Sequence, residues 1–328
     1  EIGGTVNGAH SLDVEYNYYV QFDRAVGNTT PLTSLTVNGA NISMFAGAVT
    51  SGNQLYKSYT NLYGTFDTNA SGTANGSFEV VGAAILGSAT TVTTGSGAVT
   101  FDSSVDGGQT LTINSTGATT FSGLVGSGTA LTSLTTNSGG TTAINGGSVT
   151  TTGNQTYNDA VSLGANTTLT STGGGDITLA GTVNGAKTLA INTAGATVFS
   201  GVVGGSTPLT SITTDTPGTV AINTTAITTT GNQTYNENAA TLGVSTTLNA
   251  GAGDINFAGT IDGAFSLDLN STGTTTLGGA VGGNTALTSV TTNAGGSTVI
   301  NGGAVTTTGN QSYGDNVTLG AGPGLTTT

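Results

Sequence analysis

The 328 residues carry only 6% charged side chains, with three Lys and Arg against 16 Asp and Glu and a net charge of −13. So few basic groups exclude nucleic acid, whose phosphates need clustered cations, and exclude docking on an anionic bilayer through a basic face. No run of about 18 apolar residues occurs, so no helix spans a membrane in this segment. Thr, Val and Ile abound beside 56 Gly, whereas long charged helix formers are scarce. That balance predicts an ordered, all-β chain with almost no helix.

In chain order, residues 1–103 carry the landmarks Val6-Asn7-Gly8, Pro31-Leu32-Thr33-Ser34 and Gly52-Asn53-Gln54. Residues 104–181 repeat them as Val105-Asp106-Gly107, Ala130-Leu131-Thr132-Ser133 and Gly153-Asn154-Gln155. Residues 182–259 do so again with Val183-Asn184-Gly185, Pro208-Leu209-Thr210-Ser211 and Gly231-Asn232-Gln233. A truncated copy, 260–328, closes with Ile261-Asp262-Gly263, Ala286-Leu287-Thr288-Ser289 and Gly309-Asn310-Gln311. Gly153, Gly231 and Gly309 thus mark a 78-residue period. The first copy is longer than the others, through an insertion at about 57–80.

Within each unit, apolar residues fall at alternate positions in short segments separated by Gly, Asn and Thr steps. This is the period of strands with one buried face. A unit divides into three or four coils of roughly 20 to 26 residues, the range of solenoid repeats. One coil has too little apolar surface to offset its chain entropy, but stacked coils share a core. The expected fold is therefore a right-handed parallel β-helix, with tandem antiparallel β-sandwiches as the alternative. In the β-helix, Ile144, Ile222 and Ile300 point inward, Gly107, Gly185 and Gly263 occupy equivalent turns, and Thr and Asn at equivalent positions form ladders.

Segments such as Thr229-Thr230-Gly231-Asn232-Gln233-Thr234-Tyr235 and Gly181-Thr182-Val183-Asn184-Gly185-Ala186 resemble the repeats of filamentous-haemagglutinin-like adhesins and autotransporter passenger regions. The resemblance covers nearly the whole chain and is weakest over residues 10–80. It implies a bacterial, secreted β-solenoid at the cell surface, involved in adhesion or biofilm. It carries over no catalytic residues.

The only basic and imidazole side chains are His10, Arg24, Lys57 and Lys187, and the acids are scattered singly. No pair or triad suited to hydrolysis stands out, so the chain is expected to be non-catalytic. Asp159, Glu237 and Asp315 share a repeat position, as do Asp176 and Asp254. They read as solvated turn residues that keep Ca2+ only as a candidate ligand, because Ca2+ needs six to eight oxygens.

Aromatic residues concentrate in the first copy. Tyr16, Tyr18, Tyr19, Phe22, Tyr56, Tyr59, Tyr63 and Phe66 are the candidate interface or ligand contacts, with Phe45 and Phe78 nearby. An insertion in a solenoid projects as a binding loop or caps an open end. Two functions follow: a structural stalk or fibre subunit, or a module that binds glycan or protein on a cell surface through residues 10–80. Ile2-Gly3-Gly4-Thr5-Val6 matches Phe257-Ala258-Gly259-Thr260-Ile261 in phase, so end-to-end self-association is a further expectation.

Overall fold

Segments such as Thr219-Val220-Ala221-Ile222 and Ser297-Thr298-Val299-Ile300 form strands in which alternate side chains are buried. A period of two requires this of a sheet with one apolar face. The structure, a computed structural model, describes residues 1–73, 75–320, 322 and 324–328. Among these, the regular segments are all strands and none is an α-helix. The chain divides into two units, Glu1–Ala165 and Asn166–Thr328, a boundary that falls inside the 104–181 repeat. Each unit is a parallel β-solenoid, and together they count about 15 turns. Parallel pairing excludes the sandwich alternative, whose sheets are antiparallel.

In the first unit, one face stacks Ser11–Glu15, Ser34–Asn38, Gln54–Tyr56, Phe78–Val80, Val99–Phe101, Ala118–Phe121, Thr141–Ile144 and Ala160–Leu163. A second face begins with Tyr19–Phe22, Asn41–Met44 and the start of Tyr59–Asp67. The third contains Ala48–Val49, the end of Tyr59–Asp67, Thr110–Ser115, Ser133–Thr136 and Gln155–Tyr157. The insertion is one additional turn. Gln54 pairs with Phe78, and Thr60 with Ala84. Rather than projecting whole as a loop, it enters the ladder through Tyr59–Asp67 and Phe78–Val80, which bury Phe66 and Phe78.

In the second unit, turns differ in length: a short one pairs Ser297 with Asn316, and a longer one pairs Val203 with Ile227. One face runs Ile177–Leu179, Ala196–Phe199, Thr219–Ile222, Ala239–Leu242 and Thr260–Asp262. The next runs Thr167–Ser171, Thr188–Thr193, Ser211–Thr214, Gln233–Tyr235, Ile255–Phe257, Thr274–Leu277 and Ser297–Ile300. The third holds Ala226–Thr228, Thr246–Gly251, Ser266–Ser271, Ser289–Thr292 and Gln311–Tyr313.

The repeat and the turn are therefore out of step. Ile177–Leu179 lies on the first face, and its equivalent one repeat later, Ile255–Phe257, lies on the second. Thr188–Thr193 lies on the second face and Ser266–Ser271 on the third; Ala226–Thr228 lies on the third and Ala304–Thr307 pairs with Gly324–Thr327 in the column of the first. Neither three nor four coils make a repeat: each repeat spans three turns and two further faces. Ladders of repeat-equivalent side chains consequently do not form. Instead, Ile255-Asn256-Phe257 stacks between Gln233-Thr234-Tyr235 and Thr275-Thr276-Leu277.

Ile144, Ile222 and Ile300 are buried, as their alternation predicts. A fully buried aliphatic side chain contributes about 1.5–3 kcal/mol, and within each unit the core is a column of such residues. In the first unit it also contains an aromatic stack, with ring centroids 5.5 Å apart for Phe66–Phe78, 5.8 Å for Phe78–Phe101 and 5.7 Å for Phe101–Phe121. Gly107, Gly185 and Gly263 share one turn conformation, with φ of 116°, 136° and 136°.

Candidate functional site

The most regular polar arrangement is built by the Thr-x-Gly-Asn-Gln-x-Tyr segments. At each, the chain turns a corner and places a glutamine in the following strand, buried at Gln54, Gln155 and Gln233 and half-buried at Gln311. The Gln54 amide donates to Ala48 O (3.0 Å), Asp67 O (3.0 Å) and Thr50 Oγ1 (3.3 Å), while its Oε1 accepts from Tyr56 Oη at 3.1 Å. Thr50 Oγ1 in turn donates to Gly52 O. Gln233 repeats this with Ile227 O (3.1 Å), Asn249 O (2.9 Å), Thr229 Oγ1 (3.3 Å) and Tyr235 Oη (3.0 Å). Equivalent bonds join Gln155 to Val149 O, Thr151 and Tyr157, and Gln311 to Val305 O, Thr307 and Tyr313. Burial raises the phenol pKa of Tyr56, Tyr157 and Tyr235, so each hydroxyl keeps its proton and remains a donor. The most recognisable motif is thus consumed in holding corners.

The Val-Asn/Asp-Gly landmark also joins turns. Asn7 Oδ1 accepts from the Thr29 and Thr30 amides (2.9 and 3.2 Å), and Asp106 Oδ1 from Gly128 and Thr129 (2.7 and 3.1 Å). Asn184 does this with Ser206 and Thr207, and Asp262 with Asn284 and Thr285. Only an acceptor oxygen is needed, which is why Asn and Asp interchange at this position.

Asp159 and Glu237 correct the expectation of solvated turn acids: both are buried. Asp159 accepts from Gly140 N at 2.9 Å and Thr142 Oγ1 at 3.1 Å, and Glu237 accepts from Thr214 Oγ1. These bonds tie each acid to the preceding turn. Desolvation raises the pKa of both carboxyls, against the lowering effect of those bonds. Asp315 bonds Gly296 N at 2.9 Å, and Asp176 and Asp254 accept from Ala196 N (2.8 Å) and Thr274 N (2.7 Å). Among the described residues, no three His, Asp or Glu side chains gather into a metal site.

The eight aromatic candidates separate into two groups. Phe22, Tyr56 and Phe66 lie in the core at no exposure, so as surface contacts they are corrected: each falls on the inward parity of its strand. Tyr16, Tyr18, Tyr19 and Tyr59 are exposed and Tyr63 is half-buried. Tyr63 meets Phe45, which is exposed, at a centroid distance of 4.8 Å. Alternation from Val20 and Ile42 already contained this sorting. Nearby, Lys57 Nζ pairs with Glu15 Oε1 at 2.9 Å, and Asn38 donates to the other oxygen at 2.6 Å. That bond to Lys57 is the main reason the Glu15 carboxyl titrates low.

Among the described residues no helix is long and apolar enough to cross a membrane. The chain matches no protein-family model, no curated protein and no solved structure.

Proposed function

We propose that this chain is a non-catalytic structural solenoid of a bacterial cell surface, a stalk or fibre subunit. One observation carries the proposal: the residues most regularly repeated, the Thr, Gln and Tyr of each corner and the Asn or Asp of each landmark, spend their polar atoms on bonds between and within turns. A chain whose repeated chemistry serves its own stacking is suited to bearing load and spanning distance. Self-association belongs to the same proposal. The outermost turn of a solenoid leaves backbone groups that a strand of another chain can pair. Electron microscopy of the purified chain at rising concentration tests this: filaments support end-to-end pairing, and isolated particles throughout count against it.

A second reading is favoured by a different observation, the exposed rings of Tyr16, Tyr18, Tyr19, Phe45 and Tyr59 in the first unit. Here residues 10–80 recognise a glycan or protein on a cell surface, the solenoid serving as scaffold. Adhesion of the purified chain to cells, with and without alanine at Phe45 and Tyr63, separates this from a purely structural role.

A further inference from the structure

On the second face of the first unit, three turns present their outward side chains in three columns. Register places Tyr19 beside Asn41 and Asn41 beside Tyr59. Two residues along each strand, Gln21 lies beside Ser43 and Ser43 beside Asn61. Two residues further, Phe45 follows Met44 and Tyr63 follows Leu62, and the two rings meet with centroids 4.8 Å apart, tilted by 39°. The Tyr63 ring lies over Gly87 of the next turn, where a Cβ would come within 2.1 Å of the ring. A side chain at position 87 would lift that ring off the face.

The inward residues between these columns, Val20, Phe22, Ile42, Met44 and Leu62, are buried, so the face is rigidly backed. The result is a shallow trough with aromatic walls and a polar floor. At about 3.3 Å per residue, four residues separate the walls by about 13 Å, and consecutive turns advance by about 4.8 Å. On the floor, Asn61 Nδ2 donates to Ser43 Oγ at 3.1 Å, and the Gln21 amide donates to Asp23.

We infer that this trough binds a neutral, extended polysaccharide. The C–H face of a sugar ring packs on an aromatic wall, and its hydroxyls exchange hydrogen bonds with the Gln21 and Asn61 amides and the Asp23 carboxylate of the floor. Charge selects among occupants: the trough holds Asp23 with Arg24 as a single neighbouring cation, on a chain of net charge −13, so acidic polysaccharides are disfavoured. The floor selects too. An apolar protein surface, or a second copy of this face, would desolvate Gln21 and Asn61 without replacing their water partners. This inference deepens the recognition reading and is independent of the structural one.

Affinity electrophoresis tests it, using gels containing hydroxyethyl cellulose, xylan, mannan or a soluble β-1,3-glucan, and heparin as the acidic comparison. Retardation is expected in at least one neutral gel and not with heparin. It should weaken at least tenfold in Phe45→Ala/Tyr63→Ala, and also in Tyr19→Ser/Tyr59→Ser on the opposite wall. Leu124→Ala, an exposed apolar residue outside the trough, should migrate as the parent does. The four wall rings lie on the outward face, so circular dichroism should be unchanged. Free migration in all four neutral gels, retardation by heparin alone, or retardation insensitive to both wall variants overturns the inference. If Phe45→Ala/Tyr63→Ala abolishes adhesion to cells while the parent migrates freely in every neutral gel, the glycan is overturned and the recognition reading stands.

Discussion

Thr178 and Asn256 hold the same position in the 78-residue repeat, yet they lie on different faces of the second solenoid, Thr178 beside Val198 and Asn256 beside Thr234 and Thr276. Turn length decides which residues touch, and the repeat does not divide evenly by it. Paired cysteines make this measurable, since the chain has none of its own. Thr234→Cys/Asn256→Cys places two outward side chains on adjacent turns at about 4.8 Å, within disulfide reach, and should oxidise to an intramolecular bond. Three whole turns per repeat would instead set Thr230 beside Asn256, and four would set Asn236 there. Thr230→Cys/Asn256→Cys and Asn236→Cys/Asn256→Cys are expected to keep both thiols titratable under the same oxidation.

The corner glutamine predicts a coupled loss of stability. Tyr235→Phe removes the donor to Gln233 Oε1, leaving a buried acceptor short of a partner at a cost of about 1–3 kcal/mol. Gln233→Ala costs more, because Ile227 O, Asn249 O and the Thr229 hydroxyl lose their shared donor. Residues in one network couple, so the double variant should fall short of the sum. Urea titrations of the four proteins in the double-mutant cycle measure this, and simple additivity would count against a shared clamp.

Two glycines separate crowding from backbone strain. Gly263 combines φ of 136° with a space in which a Cβ would sit 2.5 Å from Leu242 O. Gly263→Ala should therefore lower stability by more than about 2 kcal/mol, the left-handed backbone alone accounting for about 1–2. Gly303 has φ of 75° and open space around it, so Gly303→Ala should show only the backbone share. Equal losses in thermal melts of the two variants would contradict this assignment.

Glu237 gives the fold a pH dependence of determined sign. Its Oε1 is buried without a hydrogen-bond partner, and desolvation raises the carboxyl pKa above its unfolded value. The folded state therefore binds the proton more tightly than the unfolded chain does. The resulting stability is fully present below the unfolded pKa of about 4.3 and is lost as pH rises through the folded value. Glu237→Gln removes the charge but keeps an acceptor for Thr214. It should be the more stable protein at neutral pH, with a flatter profile across the acid range, in urea midpoints measured from about pH 4 to 7. A variant weaker than the parent at pH 7 would reverse the argument.

Much of this protein is legible in its residues alone. Period-two alternation, Gly-Asn steps and a scarcity of helix formers determined stacked β-coils, and parity alone sent Ile144, Ile222 and Ile300 inward. The same parity distinguishes Phe22 from Tyr19 within one short strand, although clustering in sequence made the two look alike. Only the tertiary structure decided the pairing of turns. Parallel stacking joins residues about twenty apart, so a small difference in the length of each turn accumulates over a repeat until equivalent positions stand on different faces. It likewise decided that Asp159 and Glu237 are buried, since their partners Thr142 and Thr214 come from the preceding turn. The trough between Tyr19 and Tyr63 arises in the same way: its walls and floor come from three strands, and no single segment of sequence contains it.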